Sequence, residues 1–242
     1  MRKGLREATL PIALPAGTPP GAEGHRDRMR ARLLRAGADA LADYELLEMV
    51  LYIALPRRDT KPLARALLAE FGSFPAICAA PVTALLAIDG IGEAAAATLK
   101  VVQAAALRLA RGELADRPLL GNWDRLIGYL TAVLAREKTE QCRVLFLDNR
   151  NRLIADEVMG RGTVNHTPVY PREVVRRALE LQATALILVH NHPSGDPRPS
   201  PEDVAMTREV KQAAALLGIT LHDHVIIGNG AWCSLRREGV LG

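Results

Sequence analysis

Aromatic residues are scarce in this sequence of 242 residues: two tryptophans, four tyrosines and three phenylalanines. Alanine, leucine and arginine abound instead, a bias to which no functional reading attaches. Cysteine is scarcer still. Cys78, Cys142 and Cys233 are odd in number and far apart, which excludes a secreted framework of paired disulfides and fits a reducing cytoplasm. No apolar run approaches the roughly 18 to 20 residues of a membrane span. Nor does an apolar signal core with a cleavage site open the chain, so a soluble cytoplasmic protein with no membrane partner is expected. A strong charge of one sign is also missing. The net charge of +4 is a mild lean toward polyanions, concentrated in Arg26, Arg28, Arg30, Arg32 and Arg35, a cluster that suits a solvated helix face or a nucleic-acid surface.

The apolar content, 49%, is enough for real cores, and the length suits two of them. Residues 1–24 hold Pro11, Pro15, Pro19 and Pro20 with Gly17, Gly21 and Gly24, and read as a flexible tail. Over 25–112 apolar residues recur at helical spacing, as in Leu46, Leu47, Val50 and Leu51, then Leu63, Leu67 and Leu68, then Leu99 and Val102. Breaks at Pro56, at Phe71-Gly72-Ser73 and at Gly90-Ile91-Gly92 predict a small all-helical domain of four or five helices. Residues 113–120 read as a linker.

The remainder, 121–242, alternates helix and strand. Asp124 to Arg136 is an amphipathic helix. Cys142 to Asp148 and Leu153 to Met159 form strands around the turn Asp148-Asn149-Arg150-Asn151. Pro171 opens a helix to about Gln182. Ala185 to Val189 is a continuous apolar run and so a central buried strand. A further helix over about Pro201 to Leu217 and a strand over Leu221 to Ile227 complete an α+β or α/β domain, a mixed sheet flanked by helices.

Two places carry chemistry. In the helical part, Leu85-Leu86-Ala87-Ile88-Asp89-Gly90-Ile91-Gly92 has the form of a helix ending in a glycine turn, with a new helix near Glu93. The free amides at that helix start could hold a phosphate. The pattern resembles a helix-hairpin-helix motif, which implies contact with the DNA backbone through Gly90, Gly92 and Lys100, with Arg108 as a further cation; Glu93 weighs against it, and a tight structural corner is the plainer alternative. In the second part, His190 and His192 leave the buried strand two residues apart and so face one point. Asp203 returns eleven residues later, just inside the next helix, after a loop stiffened by Pro193, Pro197, Pro199 and Pro201. Two imidazoles, one carboxylate and an open fourth position suit a catalytic zinc ion, one per chain, although these ligands also serve other divalent metals.

The run from His190 to Asp203 fits His-x-His-x7-Ser-x2-Asp and resembles the JAMM/MPN metalloprotease family. His190-Asn191-His192-Pro193-Ser194-Gly195-Asp196 is similar to the RadC branch in particular, as are Tyr170-Pro171-Arg172-Glu173-Val174-Val175 and Leu221 to Gly228. That resemblance implies a cytidine-deaminase-like fold with zinc on His190, His192 and Asp203. It further implies that Ser200 stabilises an oxyanion and that an upstream glutamate takes a proton from the attacking water. Glu140, before the first strand, is the first choice for that base; Glu157 is the runner-up, and Glu173 faces solvent or caps its helix. His222 and His224 point the same way on the last strand and could form a second metal pair; more simply, His224 and Asp223 support the ligands from behind or are core polar groups. Ser194 and Asp196 orient His192 or hold the turn.

Three functions compete. The first is a zinc peptidase or isopeptidase acting on a protein or peptide substrate. The second is a DNA-repair or DNA-processing factor acting through the helical domain. The third is a scaffold, which would not require His190, His192, Ser200 and Asp203 together. Phosphodiester hydrolysis commonly employs two metals with bridging carboxylates, so a single carboxylate ligand favours amide hydrolysis.

Overall fold

The structure, a computed structural model, describes residues 22–115, 118–162 and 169–241. The chain divides into two compact units, after Lys100. Of the expected tail, residues 1–21 lie outside the described residues; helix α1 (Ala22–Ala36) already occupies 22–24.

The first unit continues with α2 (Asp43–Ala54), α3 (Lys61–Phe71), α4 (Phe74–Ala79), α5 (Val82–Leu86) and the first turns of α6 (Glu93–Ala115). Six helices stand where four or five were expected. Gly37, in the left-handed region at φ 78, separates α1 from α2. Ser73 caps α4 by accepting from Ala76 N at 3.3 Å, and Pro81 interrupts the chain directly after, so 74–86 splits into pieces of six and five residues. Neither piece is long enough to show periodicity. Leu47, Leu51, Leu67, Ile77, Leu85 and Leu99 are fully buried among these helices. The arginine cluster is largely engaged at home: Arg26 donates to the carbonyls of Leu55, Pro56 and Arg58, Arg30 pairs with Asp27 and Arg32 with Glu45.

Helix α6 continues through Gly112–Ala115, where the sequence reads as the start of a linker. One glycine in a helix costs only about 1 kcal/mol, and Leu114 is buried in the core of the second unit. Residues 116–117 lie outside the described residues.

The second unit contains α7 (Trp123–Leu134), β1 (Gln141–Leu147), β2 (Leu153–Arg161), α8 (Pro171–Glu180), β3 (Ala185–Asn191), α9 (Pro201–Ala215), β4 (Thr220–Ile227) and β5 (Trp232–Ser234). The five strands form one mixed sheet in the order β2-β1-β3-β4-β5, antiparallel except for β3 and β4. Every residue of β3 is buried, because helices cover both faces of the sheet. Val144, Phe146, Leu186 and Leu188 pack with Val174 and Ala178 of α8 and Val210 and Ala214 of α9. Leu145, Leu147, Ile187 and Val189 pack with Leu126, Leu130 and Leu134 of α7. This is the expected α+β domain, with an additional short edge strand, β5.

The crossover from β3 through α9 to β4 positions the candidate site: the carboxyl end of β3 lies beside the start of α9, the usual place for a ligand crevice in such sheets. The β3–β4 ladder slips between Leu186 and Ile187, where Leu221 and Asp223 are the successive partners. His222 falls in that slip, which breaks the two-residue alternation along β4.

Candidate metal centre

His190 is the next-to-last residue of the buried central strand, and its ring faces the α8/α9 side, in step with Leu186 and Leu188. His192 follows where the ladder is still held, its N–H donating to Ile227 O at 2.9 Å. The two Nε2 atoms lie 2.9 Å apart. Asp203 reaches them from the first turn of α9, with Oδ1 3.2 Å from His190 Nε2 and Oδ2 3.5 Å from His192 Nε2. Among the described residues these three form the one His/Cys/Asp/Glu group with ligand atoms close enough for a metal ion, all within 4.8 Å.

The protons around the cluster leave room for a cation. His192 Nδ1 lies 2.7 Å from Asp196 O. A carbonyl only accepts, so Nδ1 carries the hydrogen, and Nε2 of the neutral ring offers a lone pair. Burial works against the charge of Asp203, yet its contacts with both imidazoles and with Ser200 N hold its carboxyl well below the usual carboxylate range. Asp203 in turn raises the pKa of His192, with burial opposing. A proton on His192 and a metal ion therefore compete for one lone pair. The donor set, two imidazole nitrogens and a carboxylate oxygen in a partly buried recess, fits zinc.

Ser200 caps α9. Its Oγ accepts from Asp203 N at 3.1 Å and donates to Asp203 Oδ2 at 2.8 Å, while Ser200 N donates to the same oxygen at 2.8 Å. The local sequence dictates this: serine before proline at N1, with an aspartate three places on, is a reciprocal helix cap. The capping carboxylate and the candidate ligand are one group. In the loop before it, the side chain of Asp196 binds Arg198, and its backbone carbonyl is what holds His192; Ser194 Oγ accepts from Asp196 N at 3.4 Å. Gly228 closes the loop from behind, since a Cβ there would lie 2.2 Å from Gly195 O.

Glu140 stands one residue before β1, half-buried. The antiparallel pairing of Cys142 with His190, continued by two residues, sets Glu140 across from His192. Its charge acts on His192. With burial first, the charges of Glu140 and Asp203 also push the Cys142 thiol up to about 12. Asn191, buried between the two histidines, brackets this position: Oδ1 accepts from Gln141 N at 3.0 Å, and Nδ2 donates to Thr139 O at 3.1 Å and Glu137 O at 3.4 Å. Glu157 lies elsewhere in a two-point pair with Arg177, at 2.6 and 2.8 Å, which lowers its pKa. Glu173 pairs with Arg172 and Arg176 at the surface.

The expectation that His222 and His224 point the same way fails, because of the ladder slip. His222 Nε2 bonds Asn151 Oδ1 at 2.7 Å. His224 lies beneath the candidate site, its Nε2 2.7 Å from His190 Nδ1 and its Nδ1 against Thr207 Oγ1. Asp223 accepts from Ser234 Oγ, His224 N and Arg236 N. Thr207 was not singled out in the sequence, although it stands one helical turn after Asp203, on the same face of α9.

In the helical unit Gly90 takes φ 86 in the turn before α6. Arg58 reaches Gly90 O at 3.3 Å, and Lys100 Nζ turns back to Cys78 O at 2.8 Å. Arg26, Arg57, Arg58 and Lys61 line a cleft of about 480 Å³ together with His25 and Glu48.

Residues 120–240 match the family model described as RadC-like JAB domain, and residues 24–97 the one described as UPF0758 N-terminal. A UPF0758 protein of Rhodobacter capsulatus is 58% identical over 213 residues, 88% of this chain and 100% of that protein. Another, from Ruegeria pomeroyi, is 54% identical over 217 residues, 90% of this chain and 97% of that protein.

Proposed function

The chain belongs to the RadC-like JAB domain family, and from that premise we propose that it is a zinc-dependent hydrolase of amide bonds, a peptidase or isopeptidase. One observation carries the reading: His190 Nε2, His192 Nε2 and the Asp203 carboxylate converge opposite the ladder position of Glu140. Zinc at such a site supplies Lewis acidity, polarising a carbonyl and making water a stronger acid. Glu140 accepts the proton of the attacking water and returns it to the leaving amine. Asn191 fixes the backbone on both sides of that glutamate. Ser200 holds the Asp203 carboxylate; with its hydroxyl turned toward the reacting carbonyl, it would stabilise the tetrahedral oxygen, an effect typically worth about 3 kcal/mol. Three unpaired cysteines are in keeping with a cytoplasmic setting. No helix among the described residues is long and apolar enough to cross a membrane.

The test is elemental analysis of wild type, His192→Ala and Asp203→Ala, purified without a metal-binding tag. About one zinc per chain, lost in both variants, is expected, with Glu140→Gln retaining metal but failing to cleave peptide or isopeptide substrates. Equal metal in all three proteins sinks the ligand assignment.

The basic cleft beside the Gly90 turn supports a second reading, DNA processing in which the helical unit grips the phosphate backbone. In that case Arg57 and Arg58 are better placed than Lys100, which is held by Cys78 O. Salt-dependent DNA binding that weakens in Arg57→Ala/Arg58→Ala checks it; binding unchanged in that variant removes the cleft from consideration.

A further inference from the structure

We infer that Thr207 and His224 are positioning residues for the metal reading above, forming a buried relay that makes Nδ1 of His190 a hydrogen-bond donor and keeps its Nε2 turned to the site. The direction of the relay follows from its far end. Thr207 Oγ1 contacts Asp203 O, one turn earlier on α9. A carbonyl has no proton to give, so the threonine hydroxyl donates there. That hydroxyl has one proton, so toward His224 Nδ1 it can only accept, and Nδ1 of His224 is the protonated nitrogen. His224 and Thr207 are both 0% exposed, and an imidazolium whose two nitrogens face only a hydroxyl and another imidazole would be a buried charge without a partner. His224 is therefore neutral, with Nε2 bare. It accepts from His190 Nδ1 at 2.7 Å, which leaves Nε2 as the nitrogen of His190 that faces the site, 3.2 Å from Asp203 Oδ1. The reverse order would set Thr207 Oγ1 against Asp203 O with no proton between them.

The relay also closes on itself in the chain. Asp203 supplies a ligand oxygen through its side chain and, through its carbonyl, anchors the hydrogen bonds that orient another ligand, His190. Outer hydrogen-bond partners of metal-binding histidines commonly act in this way; here two neutral side chains do the work more often given to a carboxylate.

The experiment uses the full chain with isotope-labelled histidines, first free of metal. Heteronuclear NMR of the wild type is expected to show a proton on Nδ1 of both His190 and His224. Thr207→Val, of nearly the same shape, takes away the acceptor; His224 and His190 are expected to shift to Nε2–H, and zinc affinity, measured by chelator competition, to fall about tenfold to a hundredfold. Thr207→Ser restores both. A wild-type His190 or His224 without a proton on Nδ1, or Thr207→Val with unchanged tautomers and unchanged zinc affinity, overturns the relay. If instead the wild type takes up no zinc, the hydrolase reading falls, while the metal-free spectra still decide the relay.

Discussion

In the sheet unit Asp156, 6% exposed, takes a hydrogen bond from Tyr129 Oη at 2.5 Å and another from Arg143 Nε at 2.8 Å. In the helical unit Glu48, 2% exposed, meets His25 through Oε1 at 3.0 Å. Its Oε2 and the nearby Tyr52 Oη have no partner among the described residues. The sheet unit has one such atom, Trp123 Nε1, against networks that satisfy Asp156, Asn191, Asp223 and His224. The difference is one of purpose. Directional bonds fix where a side chain points and suit a unit that must hold ligand atoms in place. Apolar helix packing sets a fold without fixing individual polar atoms.

The largest effect expected from this contrast is at Asp156. Asp156→Ala leaves Arg143 and Tyr129 buried without their shared partner and should destabilise the sheet unit by about 3–5 kcal/mol in urea unfolding; a loss below about 1 kcal/mol would erase the contrast. Next is Gly228→Ala. The methyl must push the backbone at Gly195, next to Asp196, whose carbonyl holds His192, and should cost about 1–3 kcal/mol while lowering bound zinc; unchanged zinc would show the loop to be independent of its backing. Glu48→Gln, the counterpart of Asp156 in the helical unit, should change stability by less than about 1 kcal/mol or raise it, because the substitution removes a buried charge whose second oxygen has no partner. A large loss there would give the helical unit a polar network after all. The smallest effect is in thiol labelling. Burial, partly offset by Lys100, pushes Cys78 up to about 11, and Cys142 stands at about 12. At mildly alkaline pH Cys233, only partly buried, should label first, then Cys78 as the helical unit opens, and Cys142 last.

Long, one-sided patterns were legible in the sequence. The runs at 142–148, 185–189 and 221–227 became β1, β3 and β4, and the periodic segments after Asp124, Pro171 and Pro201 became α7, α8 and α9. Short elements were not: α4, α5 and β5 have too few residues to show a period. His190, His192 and Asp203 could be read together because an extended strand and a helical first turn have fixed geometry over a few residues. The partners of His190 were legible only in part: His224 as a candidate group behind the ligands, Thr207 not at all. His224 and Thr207 lie 34 and 17 residues from it, and the ladder slip that separates His222 from His224 is set by how β4 packs, which no alternation in the sequence announces. Lys100 shows the same limit, since its turn back to Cys78 O depends on where α4 ends.

The reciprocal cap of α9 ties a lifetime to a helix end. Ser200 and Asp203 hold each other only while the first turn of α9 is wound. With a metal ion held as proposed, each fraying of that turn would swing the carboxylate away from both imidazoles and leave the ion only its two histidines. The residence time of such an ion would then be governed by the opening rate of one helical turn, and hydrogen exchange at the Asp203 amide and the escape of metal would be two clocks reading one motion.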